Sequence, residues 1–292
     1  MEKISKMLSF RFMTERNQML NYLKYMITVP RKFILNWAIS GGVYLLILPL
    51  AFANSSVEGL LIDTQREAFR GMSENDTVMN LLGIQDWDNV FTLEGMVTTY
   101  FLVPFVPLLI GTATIILLNK LGSKAEEDGT FEFVAALPMT RSTVYLSQAI
   151  LTVLFGLFVT FAWTNIMFIP IATMELSQTL DYGPLMKATL QAALAGVSFG
   201  ALGFALGTFT GKSSMAWAFG GGLMAFEYLT NSLAGTNDFF QWFDDNLSSF
   251  GAYGNPYQDG LIGEDIFLVV GKTLIFLAIG FIGFRNRSLN LR

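Results

Sequence analysis

Apolar residues run together in six stretches of membrane length, at about 33–54, 95–118, 144–173, 186–210, 214–234 and 264–284. Crossing a hydrocarbon core of about 30 Å takes about 20 such residues, and each stretch approaches or exceeds that. The pattern predicts an all-α integral membrane protein, a single six-span domain over residues 1–292. The third stretch is long enough to tilt or to project, and Pro170 is placed to end or kink it near one end. Residues 1–32 differ. Ile4, Met7, Leu8 and Phe12 form one helical stripe, and Met19, Leu20, Leu23, Met26 and Ile27 another, with basic residues between them. That pattern predicts amphipathic helices lying in the membrane interface up to Pro30, and a simple surface anchor fits it as well. No short basic stretch followed by an apolar core, as in a signal peptide, is expected there.

The polar segment between the second and third stretches is the most informative. Acidic residues, a glycine and a Pro-x-x-Arg turn do not sit in lipid, so the loop from Glu126 to Arg141 faces water. Asp128-Gly129-Thr130 predicts a turn and a helix N-cap. Phe131, Val134 and Leu137 recur at i, i+3 and i+6, which predicts about two turns of amphipathic helix stopped by Pro138, with Ser142 capping the next span. A short rigid helix with an apolar stripe and acidic flanks is suited to a groove on a partner.

Charge orients the chain. Seven Lys and Arg precede the first span, Lys120, Lys124 and Arg141 lie between the second and third, Lys212 follows the fourth span, and Arg285, Arg287 and Arg292 follow the sixth. By the positive-inside rule, both termini and that loop are cytoplasmic. The outer segments are acidic: residues 55–94 carry eight carboxylates against Arg66 and Arg70, and residues 235–262 carry four against no Lys or Arg. An acidic vestibule that attracts cations and a mere complement to the inner basic bias both fit.

Composition narrows the chemistry. Only 14% of the residues are charged and 52% are hydrophobic, well outside the range of soluble domains. Cysteine and histidine are both absent, which removes disulfides, Cys/His zinc sites and Ser-His-Asp triads. Gly207-Thr208-Phe209-Thr210-Gly211-Lys212-Ser213 is one residue short of a phosphate-binding loop and ends an apolar stretch, so no nucleotide site is expected in this chain. Gly196, Gly200, Gly203, Gly207 and Gly211 form a flat stripe for close helix packing, against either this chain or a second protomer. Glu227 and Lys272 lie inside spans at matched depth on antiparallel neighbours, where a charge must be paired or hydrated. An ion pair and a wetted path both satisfy that condition. Residues 235–262 are rich in Phe, Trp and Tyr, which places them at the outer interface.

The run Glu126-Glu127-Asp128-Gly129-Thr130-Phe131-Glu132, leading through Leu137-Pro138 to Arg141, resembles the coupling region of ABC-2 type transporter permeases. The likeness covers roughly residues 80–150, with Phe131 where leucine is usual and Gln148 where a basic residue often sits. The resemblance implies ATPase-coupling roles for Glu126, Glu127, Gly129, Thr130, Phe131, Glu132, Val134, Leu137, Pro138 and Arg141. It implies a subunit of an exporter in a bacterial plasma membrane, paired with a second permease subunit in a homodimer or heterodimer. It further implies two separate cytosolic ABC ATPase subunits that carry ATP and Mg, with no cofactor in this chain, membrane lipid as a partner and nucleic acid not. Re-entrant helices forming an outer gate are implied for residues 235–262. A non-transporting immunity or sensor protein on the same fold is the alternative, and an intramembrane enzyme lacks a catalytic set.

Overall fold

A spanning segment in lipid must satisfy its own backbone hydrogen bonds, which leaves helices as the natural solution for this composition. The computed structural model contains no strand among its described residues. Those are residues 20, 22, 24, 26–28, 30–68, 78, 89–103, 105–137, 139–176, 178–254, 257 and 260–288. Most of the expected amphipathic N-terminal segment, with Pro138 and the residues from 79 to 88, lies outside them. Of that segment, Tyr22 and Met26 are buried in the bundle, while Leu20 and Ile27 are exposed.

Among the described residues, five helical stretches are long and apolar enough to cross a membrane: Arg31–Phe52, Phe105–Glu127, Arg141–Thr173, Tyr182–Thr210 and Gly263–Asn286. The first comprises α1 (Arg31–Leu45) and α2 (Ile47–Phe52), and α3 (Ser55–Ala68) follows it. The second expected stretch opens with α4 (Leu93–Val97) and a π turn at Thr98–Leu102 before α5 (Phe105–Leu121). Then come α6 (Ser123–Glu127), α7 (Phe131–Ala135), α8 (Arg141–Thr173) and α9 (Tyr182–Thr210). The fifth expected stretch is helical but divided, into α10 (Ser213–Ala216), a π turn at Trp217–Gly221 and α11 (Gly222–Leu233). Among the described residues the count of helical stretches long and apolar enough to span is therefore five where the apolar pattern predicts six spans. The break falls on three consecutive glycines, and a Cβ on Gly220 would lie 2.9 Å from the Cα of Gly203. An amphipathic α12 (Asp238–Leu247) and the long α13 (Gly263–Asn286) complete the chain.

Helix α9 is the centre of the bundle, packed most extensively on α5 and α13, with α8 beside it. The glycine stripe explains the closeness. A Cβ on Gly196 would meet Pro107 and Ile110, one on Gly200 would meet Thr114, and one on Gly207 would meet Ser123 and Ala216. The stripe therefore faces this chain's own α5, α6 and α10, which resolves the two readings open from sequence. Helix α1 docks on α8, where the buried Trp163 indole donates to the Trp37 carbonyl at 2.8 Å. At 33 residues, α8 is about 50 Å long, more than a hydrocarbon core requires. Pro170 lies three residues before its end. Its N-cap is Thr140, whose hydroxyl accepts from the Thr143 N–H at 3.1 Å, two residues earlier than the expected Ser142.

Candidate functional site

Two charged constellations stand at opposite ends of the bundle. The first gathers around α6 and α7. Gly122 bends the chain out of α5, and Gly129 turns it into α7 with φ of +74°, where a side chain would be strained. Thr130 is the N-cap of α7, but its hydroxyl donates back to the Ala125 carbonyl at 3.2 Å and caps nothing. Helix α7 has five residues, about one turn and a half, and is shorter than the two turns expected.

The apolar stripe on α7 turns inward. Phe131 is 3% exposed and meets Phe284 of α13 edge-on at 6.1 Å, and Val134 packs partly buried against the core. Leu137, 43% exposed, lies past the helix end. The side chain presented outward is Phe133, 77% exposed, a residue off the stripe. Its exposure could not be read from spacing, because period alone does not say which face meets the bundle. Glu132 sits half-buried in the first turn of α7.

Of the two glutamates before the turn, Glu126 points inward and Glu127 stays at the surface. Glu126 is buried and its carboxylate takes a bidentate grip on Arg287, with Nη1 at 2.7 Å from Oε1 and Nη2 on Oε2. Such fork-on-carboxylate pairs are the stronger, geometrically specific kind. Arg287 further donates from Nε to the Thr208 carbonyl at 2.6 Å, and its own carbonyl accepts from Arg141 at 2.5 Å. This arginine thus ties together the ends of α6, α8, α9 and α13. Gly211, at φ of +70°, makes room for it: a Cβ there would stand 2.9 Å from Arg287 Nη1. Glu127 accepts from both the backbone N–H and the hydroxyl of Ser213, at 2.8 and 2.7 Å, and so holds the start of α10. Lys124 completes the loop's surface with an exposed pair to Asp128 at 2.9 Å. Sequence reasoning counted Arg287 only as a basic residue and passed over Ser213 and Phe133.

At the far end, Glu227 of α11 is fully buried and forms an ion pair with Lys272 of α13. The ion pair, one of the two readings left open by their matched depth, is present in the structure. Lys272 Nζ also donates to the Leu247 carbonyl at 2.9 Å and the Ser249 hydroxyl at 3.0 Å. The second Glu227 oxygen accepts from the Ser249 N–H at 2.7 Å. Every strong group of the pair is therefore satisfied, and the turn after α12 is held with it. Nearby, the Asp244 carboxylate accepts from the Asn231 amide at 3.0 Å. Burial pushes the Asp244 carboxyl above the ordinary carboxylate range, and the Asn231 hydrogen bond pulls the other way.

Residues 31–285 match the family model described as the C-terminal domain of multidrug efflux system permease Rv1217c. The chain belongs to this permease family. That membership and the five long apolar helices make it a multi-pass membrane protein of transport type. No curated protein matches the chain closely enough to count as a relative.

Proposed function

We propose that the chain is the transmembrane subunit of an ATP-driven exporter of the ABC-2 type, coupled through α7 to separate cytosolic ATPase subunits. The observation that carries this reading is Phe133, a large apolar side chain 77% exposed on a one-turn helix whose flanks are bonded down to the bundle. Aromatic anchors on rigid supports are the usual energetic centre of a protein interface. Residues 213–233 serve as a sixth, interrupted span in this reading, so both ends of the chain and the α6–α7 loop are cytoplasmic. ATP and Mg sit on the partner subunits, and a second permease subunit completes the transporter.

For cargo, the family's description as a multidrug efflux system agrees with an apolar groove of about 450 Å³ between α8 and α9. Leu154, Phe158, Phe161, Met186 and Leu190 line it, and the Thr160 and Thr189 hydroxyls there are spent on carbonyls of their own helices. Such walls suit an uncharged or amphipathic organic molecule of drug size.

The test is Phe133→Asp. A charge at the centre of a docking surface should remove co-purification of the ATPase and cargo-stimulated hydrolysis, at unchanged membrane insertion. Unaltered association would overturn the assignment of α7. Orientation is checked separately, since the chain has no cysteine of its own. Thr130→Cys is expected to label only from the cytoplasmic side and Asn246→Cys only from outside, and modification of Thr130→Cys in intact cells by an impermeant maleimide would reverse the topology.

A further inference from the structure

The loop's buried Glu126 and surface Glu127 grip different elements from the one that follows them in sequence. Glu126 holds Arg287 just past the end of α13, and Glu127 holds Ser213 at the start of α10. Phe131 adds a ring contact to Phe284 of α13. By contrast, among the described residues α7 leads to α8 through a connection that ends in the extended Thr140. At the opposite end, α11, which follows α10 through the π turn, is joined to α13 by Glu227 and Lys272, and that junction holds Leu247 and Ser249 of the outer turn.

We infer that Glu126, Glu127 and Arg287 are positioning residues that pass movement of α7 to a frame formed by α10, α11 and α13, and through the Glu227–Lys272 junction to the turn after α12. The inference rests on the reading of α7 as the receiver of motion. Its physical basis is that α13 is held at both ends by largely buried ion pairs, Glu126–Arg287 at one and Glu227–Lys272 at the other, while Glu127 holds the start of α10 through an exposed hydrogen bond to Ser213. Shearing either junction leaves a charged group without its counter-ion in a poorly hydrated place, so the frame shifts as a body before it comes apart there. Gly211 contributes by leaving the slot in which the Arg287 guanidinium lies against Glu126, since a side chain would stand 3.2 Å from Glu126 Oε1. A pure staple would have no reason to continue to the far end.

The experiment uses the full chain in lipid nanodiscs, with two readouts that need no ATPase. The first is the spin-label distance between Thr130→Cys and Lys212→Cys, which reports the loop against α10. The second is the reaction rate of Asn246→Cys with an impermeant maleimide, which reports α12 at the other end. Glu126→Gln and Arg287→Met singly are expected to broaden the distance and lower thermal stability. Combining them removes both charges, so stability should recover. Loop position and the Asn246→Cys rate should stay altered, the latter by about fivefold or more, the lower end of ordinary coupling between sites. Ser213→Ala, which keeps the Glu126–Arg287 pair, should shift both readouts in the same direction and covers the case in which the single variants fail to fold. Full return of both readouts with stability in the double variant, or an Asn246→Cys rate that never departs from the parent, would reduce these residues to a static staple and overturn the inference. Neither result depends on ATPase association, so failure here is distinct from failure of the Phe133→Asp test.

Discussion

Lys272→Met is expected to be the most damaging of the single changes in the membrane-embedded region, at about 3–5 kcal/mol, the cost of breaking a buried pair from one side. The fully buried Glu227 carboxylate would lose its counter-ion, and the Leu247 carbonyl and Ser249 hydroxyl would lose the same donor. Glu227→Gln should be milder. The ammonium keeps those two acceptors, and the glutamine carbonyl oxygen can still accept from Lys272 or from the Ser249 N–H. The double variant should regain most of the loss, with a residue left over from the Leu247 carbonyl and Ser249 hydroxyl, which lose the Lys272 donor. Thermal stability of the three purified variants, alongside transport, measures this. Strictly additive losses would mean that the two side chains act independently, and the pairing would have to be abandoned. Recovered stability with transport still absent is the result expected if the junction also carries movement to the outer turn.

The Glu227–Lys272 pair was legible in the sequence because a spanning helix turns residue count into depth. Two opposite charges about equally far from the same end of antiparallel neighbours have few places to go other than to each other. The glycine stripe was legible for a similar reason, since spacings of three and four residues put Gly196, Gly200, Gly203 and Gly207 on one face. What that face meets is a tertiary fact, and the structure supplies it. The α6–α7 loop shows the opposite case. Phe131, Val134 and Leu137 announce one apolar side, but only Phe284 beneath the loop makes that side face inward and leaves Phe133 outside. Glu126 looked like a solvated acid because its counter-ion lies 161 residues away, beyond the reach of any local pattern. The interruption at Trp217–Gly221 was equally hidden, since apolar length is indifferent to whether a helix is wound with four or five residues between its bonded groups.

Gly200→Ala is expected to destabilise the protein by about 1–3 kcal/mol, although alanine is the better helix former, because overpacking outweighs propensity at a closed contact. The added methyl group would lie 2.2 Å from Thr114 Oγ1 and 2.5 Å from its Cβ. Thr114 cannot easily turn away. It is fully buried, and its hydroxyl is bonded to the Ile110 and Gly111 carbonyls at 2.8 Å each. The remaining escape is to push α5 off α9, across one of the most extensive helix contacts in the bundle. Gly183→Ala is the control, because nothing lies within 4 Å of a Cβ there, and it should be neutral or stabilising by up to about 1 kcal/mol. Moving the small residue to the other helix, with Gly200→Ala and Thr114→Gly together, should recover most of the loss, since the clash disappears and the helix propensities exchange. Melting temperatures in one detergent decide the matter. Equal behaviour of Gly200→Ala and Gly183→Ala would show that α9 does not press its glycine stripe on α5, and the stripe would then have to serve a contact outside this chain.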